Sequence, residues 1–366
     1  MNAIATMRAR SPGIAAHALL AASLISAPLA MAGATFKIDD SKSITVGAGL
    51  RTSFATLEDG APSGTDRSNN FELDSIRLYL SGKVTKDIGL VFNTERQADG
   101  TIRVLDGIAQ FAFSDLVNVW LGRFLPPSDR SNLSGPYYLA TWDFPLVQNY
   151  PSIFAGRDDG LAVWGQVGGG KFKYQVGAFQ GRNGLGTSNR SDSLLYAARL
   201  TLNLWDPEPG YYNDSTYYGA KEILAFGLTG QSQADGVGTA LNPGDFGAWS
   251  IDALMEKKLG KDVLSLEGAF YRYDAGVVDP AQVDGDGFFV QLSYLIGAKV
   301  GTGKFQPHVR YQNLDVTNAA ERKRYDVGVN YIIDGHNARI SAIYAKDDNG
   351  AAPDTDVIKI GVQLQL

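Results

Sequence analysis

Runs in which apolar and polar residues strictly alternate recur along this chain, and that pattern constrains its fold more than composition does. Side chains point to opposite faces of a strand with period two, so alternation over about ten residues describes a strand with one apolar and one polar face. The last eleven residues, Asp356 to Leu366, show it plainly: Ile358, Ile360, Val362, Leu364 and Leu366 share one face, and Lys359, Gly361, Gln363 and Gln365 the other. An alternating final strand suits a closed transmembrane barrel, whose last strand must pair with its first so that no unpaired edge is left in lipid.

Period two places strands near 43–57, 71–84, 88–96, 102–113, 117–124, 159–167, 171–180, 194–204, 222–232, 247–258, 263–273, 287–297, 304–313, 323–333, 337–346 and 356–366. Most are about as long as a tilted strand needs to cross the hydrocarbon. Ile76, Leu78 and Leu80, or Tyr196, Ala198, Leu200, Leu202 and Leu204, make apolar faces, while Arg77 and Lys83, or Arg199 and Asn203, lie opposite them. The expected fold is all-β: a closed antiparallel transmembrane barrel of sixteen strands. Such a barrel encloses an aqueous lumen rather than a filled core.

A soluble sandwich would also alternate, and the connections discriminate better. Short turns at Lys86-Asp87, Ser114-Asp115, Gly168-Gly169-Gly170, Gly260-Lys261-Asp262, Gly301-Thr302-Gly303 and Asp334-Gly335 take turns with longer polar connections. That is the asymmetry of periplasmic turns and extracellular loops. Two connections break it: the one around Ala98-Asp99-Gly100 is short where a loop is expected, and 205–221 is long where a turn is expected. Trp120, Phe124, Tyr174, Trp249, Phe270, Tyr271, Tyr311 and Tyr344, near strand ends, are candidates for interfacial girdles.

The N-terminus carries Arg8 and Arg10, a broken apolar run from Ile14 to Leu29, and Ala30-Met31-Ala32 before Gly33. This reads as a signal peptide over 1–32, with the barrel domain over 33–366. The body has no uninterrupted apolar run long enough for a membrane-crossing helix, and a chain with no Cys excludes disulfides and thiolate metal sites. Removing 1–32 takes two arginines from 33 Lys and Arg against 39 Asp and Glu, for a net charge of about −8.

The longest connection, 125–156, combines five prolines with Tyr137, Tyr138, Leu139, Trp142, Phe144, Leu146 and Phe154. It is too apolar to lie in water, and as the third external loop its natural place is against the inner wall, where it would narrow the channel; the alternatives are a lid or a subunit contact. Asp129, Arg130, Tyr137, Tyr138, Trp142 and Asp143 are the candidate constriction residues.

Arg77-Leu78-Tyr79-Leu80-Ser81-Gly82, the stretch from Val119 to Pro127, and Gly156-Arg157-Asp158-Asp159-Gly160 resemble the phosphate-selective porin O and P family. Asp206-Pro207-Glu208-Pro209-Gly210-Tyr211-Tyr212, running on to Lys221, is similar to a segment of porins of that broad group. The resemblance implies a trimeric barrel in a Gram-negative outer membrane with a constricting third loop. The family's phosphate-specific members are expected to carry a lysine cluster in that loop, yet 125–156 holds Arg130 as its one base.

Turning the apolar faces outward leaves Arg77, Lys83, Lys171, Lys173, Arg199, Arg310, Arg324, Arg339 and Lys359 inward, against Glu95, Asp106, Asp252, Glu256, Glu267 and Asp326. Of these, Arg77, Lys83, Arg199, Arg310, Arg324, Arg339 and Lys359 are the candidate pore-lining bases, with Arg123, Arg130 and Arg157 flanking the long loop. Nine bases to six acids predicts a mild anion preference, phosphate or other oxyanions included.

No enzyme signature emerges, because His308 and His336 lie in separate strands without a triad or zinc arrangement. The function expected is a porin for passive diffusion of small hydrophilic solutes and ions; the alternative is a structural barrel or adhesin without a conducting channel. Its partners would be outer-membrane lipids, small solutes or anions and further copies in a homotrimer, with no nucleic acid, metal or cofactor.

Overall fold

The computed structural model describes residues 33–97, 100–182, 187–275, 283–317, 319–350 and 352–366. The signal peptide expected over 1–32, and the tip at Ala98-Asp99, lie outside the described residues. In chain order the strands are β1 (Ala34–Lys37), β2 (Ser43–Leu57), β3 (Asn70–Lys83), β4 (Ile88–Arg96), β5 (Ile102–Ala112), β6 (Asn118–Phe124), β7 (Asp158–Val167), β8 (Phe172–Phe179), β9 (Leu195–Asn203), β10 (Ile223–Thr239), β11 (Asn242–Leu259), β12 (Asp262–Asp274), β13 (Gly285–Leu295), β14 (Lys304–Val316), β15 (Arg322–Asp334), β16 (Ala338–Asp348) and β17 (Thr355–Gln365). A short helix, α1 (Arg130–Ser134), follows β6.

From β2 to β17 each strand pairs antiparallel with its neighbour in sequence, and β17 returns to β2 through Leu364↔Leu50 and Gln363↔Arg51. The result is a closed ring of sixteen strands, as the alternation predicts. Leu366 and Ala48 exchange two backbone hydrogen bonds, of 2.9 and 2.7 Å. Below that point β2 has lost its β17 partner, and β1 takes over the vacated edge through Ala34↔Val46 and Phe36↔Ile44. An edge that would expose unpaired N–H and C=O groups is thereby covered.

β9 displays the two faces most clearly. Leu195, Ala197, Arg199, Thr201 and Asn203 are buried, while Tyr196, Leu200 and Leu202 are exposed on the outer face. Trp249, Phe270 and Tyr344 also lie exposed on the outside, where a girdle requires them. Trp120, Phe124 and Tyr271 do not: all three are buried on the inner face. Their strand parity decides this, since Leu121 next to Trp120 is the residue that points outward.

The connections on the side of the termini are short apart from 204–222, and the long connection after β6 belongs to the opposite side. One expectation fails there. Residues 233–246 are not a loop, because β10 and β11 continue past the other strands as a tall hairpin to Thr239↔Asn242. A bulge between Gln233 and Val237, with Asp235 at a φ of 55°, lets the ladder continue after the apolar alternation has stopped.

Candidate functional site: a lumen filled from both ends

The segment 125–157 lies inside the barrel, held by side chains from widely separated wall strands. Asp129 caps α1, accepting from the Ser131 and Asn132 amides at 3.0 and 3.3 Å. Beyond α1 the chain is irregular, so its carbonyls need donors that helix or sheet would otherwise supply. The wall provides them. Arg51 donates to the Trp142 carbonyl at 2.5 Å, Arg339 to Leu139 at 2.6 Å, Asn330 to Ala140 at 2.7 Å, Gln363 to Tyr137 at 2.9 Å and Arg310 to Asp143 at 2.9 Å. Two inward glycines make room for rings: a Cβ at Gly49 would meet Tyr137 at 2.8 Å, and one at Gly361 would meet Trp142 at 2.5 Å.

A second segment, 204–222, enters from the side of the termini. Glu208, Tyr211, Asn213, Ser215 and Thr216 of this segment are buried, and its backbone, Ser215 and Thr216 reach wall groups of β7, β8, β11 and β12. Gln166 accepts from the Gly210 amide at 2.8 Å, Lys173 donates to the Tyr212 carbonyl at 3.2 Å, and Glu256 accepts from the amides of Tyr217 and Gly219 at 3.0 and 2.7 Å. Tyr211 stacks on Trp120 at 4.6 Å and 25°. This explains why Trp120 and Phe124 face inward: they form the apolar bed on which the inserted segment rests.

The two segments meet. Arg130 and Glu208 form a fully buried bidentate pair with both bonds at 2.7 Å, and Arg130 also donates to the Asp214 carbonyl at 2.8 Å. Tyr211 donates to the Leu125 carbonyl at 2.9 Å and Asn213 to the Arg130 carbonyl at 3.2 Å. Burial would raise the Glu208 carboxyl, but the Arg130 charge and hydrogen bonds prevail and hold it at about 2. Asp214 has no such partner and burial pushes it up to about 7; burial likewise raises Asp129.

The wall bases expected in the lumen are mostly compensated. Arg77 is ion-paired with Glu95, Arg199 with Asp252 (2.9 Å for Nη2 to Oδ1), Arg310 with Asp326 at 2.9 Å, and Arg324 with Asp326 and Asp347 at 2.9 and 3.1 Å. Lys359 reaches Glu72, Asp74 and Asp143 at 3.2, 3.5 and 3.8 Å. Lys83 and Lys171 are exposed near the side of the termini.

The nine-to-six excess of base does not survive folding. A bulge between Arg51↔Ser75 and Ser53↔Glu72 shifts strand parity and turns Glu72 and Asp74 inward. Asp347 adds to the wall, and the inserted segments bring Asp129, Asp143, Glu208 and Asp214, against Arg51, Arg130 and Arg157 on the basic side. Among these bases Arg51, Arg339, Lys83, Lys171 and Lys173 have no carboxylate within ion-pair distance among the described residues; Arg51 lies 4.0 Å from the Trp142 ring and Arg339 5.8 Å.

Open space lies along the wall of β2–β5. Cavities of about 370 and 310 Å³ share Arg77, Phe144 and Ala155, and a smaller one of about 40 Å³ lies between Arg77, Tyr79, Asn93, Asp106, Tyr138 and Arg157. Toward the termini a fourth, of about 510 Å³, begins at Ser81 and Gln110, one inward step along β3 and β5 from Tyr79 and Ile108.

Of the residues singled out from sequence, Tyr137, Tyr138 and Trp142 are buried together against β2, β3 and β17, Asp143 is half-exposed at the 370 Å³ cavity, and Asp129 and Arg130 are wholly buried. Arg51, Glu72, Asp74 and Glu208 were missed. Arg51 was readable from alternation, since Leu50 and Thr52 flank it on the outer parity, but Glu72 and Asp74 were not, because the bulge reverses theirs.

Closed ring, apolar exterior and inserted loop define a sixteen-stranded barrel of the porin type. The chain shares its fold with OprB of Pseudomonas putida (TM-score 0.63, 12% identity, 89% of this chain and 94% of that one). An anion-selective porin from Comamonas acidovorans superposes at 0.60 and 16% identity, over 89% of this chain and 100% of that one. OmpF of Salmonella typhi does so at 0.60 and 11%, over 91% and 100%. No family model and no curated protein matches the chain.

Proposed function

We propose that the chain is a porin of a Gram-negative outer membrane, exported by a signal peptide over 1–32, through which small hydrophilic solutes and ions diffuse passively. The observation that carries this reading is the pair of adjoining cavities, of about 370 and 310 Å³ with Arg77 in common, beside an inserted loop inside a barrel whose exterior is apolar. The outer faces suit both lipid and neighbouring copies, and a homotrimer is part of the proposal. Arg77, Arg199, Arg310, Arg324, Arg339 and Lys359 act chiefly as paired or loop-holding wall residues, with Lys83 at the terminal-side mouth. Membership of the phosphate-selective O and P family remains the resemblance on which the trimer rests.

The channel has a mild anion preference, set by the charges beside its open space rather than by the sum over the wall. The 370 Å³ cavity is lined by Arg51, Arg77 and Arg96 against Asp74, Glu95 and Asp143. Glu95 is taken by Arg77, and Asp74 and Asp143 by Lys359, so Arg51 and Arg96 face the space without an ion-pair partner among the described residues, while Asp129, Glu208, Asp214, Glu256 and Glu267 are held among the inserted segments. An anion-selective porin is among the proteins that share the fold. No enzymatic step is included: His308 is buried, and His336 is half-buried with Nε2 2.9 Å from the Thr216 carbonyl.

Purified protein in a planar bilayer should give stepwise ohmic conductance, with a reversal potential in a salt gradient of the sign that anions set. A silent bilayer would overturn the porin reading in favour of a structural barrel, and clear cation preference would overturn the selectivity.

A further inference from the structure

We infer that the segment 204–222 is a second constriction element, inserted from the end of the barrel that carries the termini. Its lock with the external loop confines solutes to the wall of β2–β5. The inference rests on the channel reading and adds where the route runs and what closes the rest of the lumen.

A connection on the turn side of a barrel needs only a few residues, and the others on that side are short. This one instead spends its length inside. Glu208, Tyr211, Asn213 and Ser215 are buried, and each hydrogen-bonds either to the external loop or to the far wall. The bonds to the loop converge on α1 and its flanks: Glu208 on Arg130, Tyr211 on Leu125, and Ser215 on Ser134 (3.1 Å) and, through its amide, on the Tyr138 carbonyl (3.3 Å). A salt bridge this buried is strong only while both partners are present, so it acts as a latch between two chain segments 78 residues apart.

The space that remains supports the same partition independently. The cavities run in file along β3, against β2, β4 and β5, whereas Gln166, Lys173, Glu256 and Glu267, inward groups of β7, β8, β11 and β12, are occupied by the inserted segment. A sixteen-stranded ring is wide enough for a central aqueous channel, and here the two inserted segments lie within it.

The chain has no Cys, so single thiols report the route cleanly. Ser81→Cys, on the open side, should be modified by a sulfonatoethyl methanethiosulfonate, read by mass spectrometry of the refolded barrel, on the order of tenfold faster than Thr201→Cys behind the inserted segment. Replacing 206–219 by a short Gly-Asn turn, or the paired change Arg130→Gln with Glu208→Gln, should bring the Thr201→Cys rate up to that of Ser81→Cys and raise single-channel conductance roughly twofold or more. Equal rates at the two thiols in the parent barrel would overturn the partition, as would unchanged conductance in both lock variants. A bilayer that stays silent while the thiols still differ counts against the porin reading and leaves the partition standing.

Discussion

Trp142→Ala is the most direct probe of the constriction loop. The indole is almost fully buried, lies 4.0 Å from the Arg51 guanidinium, donates from Nε1 to Asp74 Oδ1 at 3.3 Å and fits against Gly361. An aromatic side chain of this size removes about 150–250 Å² from water, which at about 25 cal/mol per Å² is an upper bound of roughly 4–6 kcal/mol. Truncations of this kind in cores cost about 3–5 kcal/mol. Water can enter from the adjoining 370 Å³ cavity, which lowers the penalty of the space left behind. Losing the contact with the buried Arg51 guanidinium adds about 1–2 kcal/mol. A destabilisation of about 3–4 kcal/mol is expected in urea unfolding of the refolded barrel. Because the indole lines the cavity, its removal should also raise single-channel conductance, and Trp142→Phe should recover most of both effects. A folded Trp142→Ala barrel that conducts like the parent would refute the placement of this residue at the narrowing, and a loss below about 1 kcal/mol would refute the packing argument.

Gly361→Val should phenocopy the opening without removing the ring, since the new Cβ would come within 2.5 Å of Trp142 and displace it; unaltered conductance would show that the loop is not braced there. Arg77→Ala leaves the buried Glu95 carboxylate with only Ser75 and the Ile76 amide as partners, and unfolding in urea should show a loss of about 3–5 kcal/mol. Adding Glu95→Leu should return most of it, and no recovery would mean that the pair matters for more than charge compensation. The latch should respond to pH from both directions. The lowered Glu208 value makes its contribution full above the ordinary 4.5 and lost as pH falls toward about 2, while the raised Asp214 value makes its contribution full below 3.8 and lost as pH rises through about 7. Conductance should therefore be lowest near about pH 4–5 and higher on either side, and a flat profile would contradict the assignment.

The strands were legible because their signal is local. The run Tyr196 to Leu202 needs no partner to declare which face meets lipid, and the same holds for most of the ring. The long loop was legible as an insertion, since Tyr137, Tyr138 and Trp142 are too apolar for solvent. The site was read less well. The arginines looked like free lumen charges, but Arg310 and Arg339 donate to the loop's carbonyls, and Arg77 and Arg199 are occupied by Glu95 and Asp252. Alternation says which way a side chain points and nothing about what meets it there.

By itself the sequence determined the barrel: period-two faces, strand lengths suited to a membrane and connections of alternating length are properties of neighbouring residues, and closing the edges follows from the cost of unpaired backbone in lipid. Tertiary structure alone decided what the barrel holds. The bulge beside Ser75 turned Glu72 and Asp74 inward, a change of register that no parity count detects, and with the acids of the inserted segments it cancelled the apparent excess of base. The latch between Arg130 and Glu208 joins residues far apart in sequence, through segments without periodicity, so only their meeting inside the ring could reveal that the lumen is narrowed from both ends.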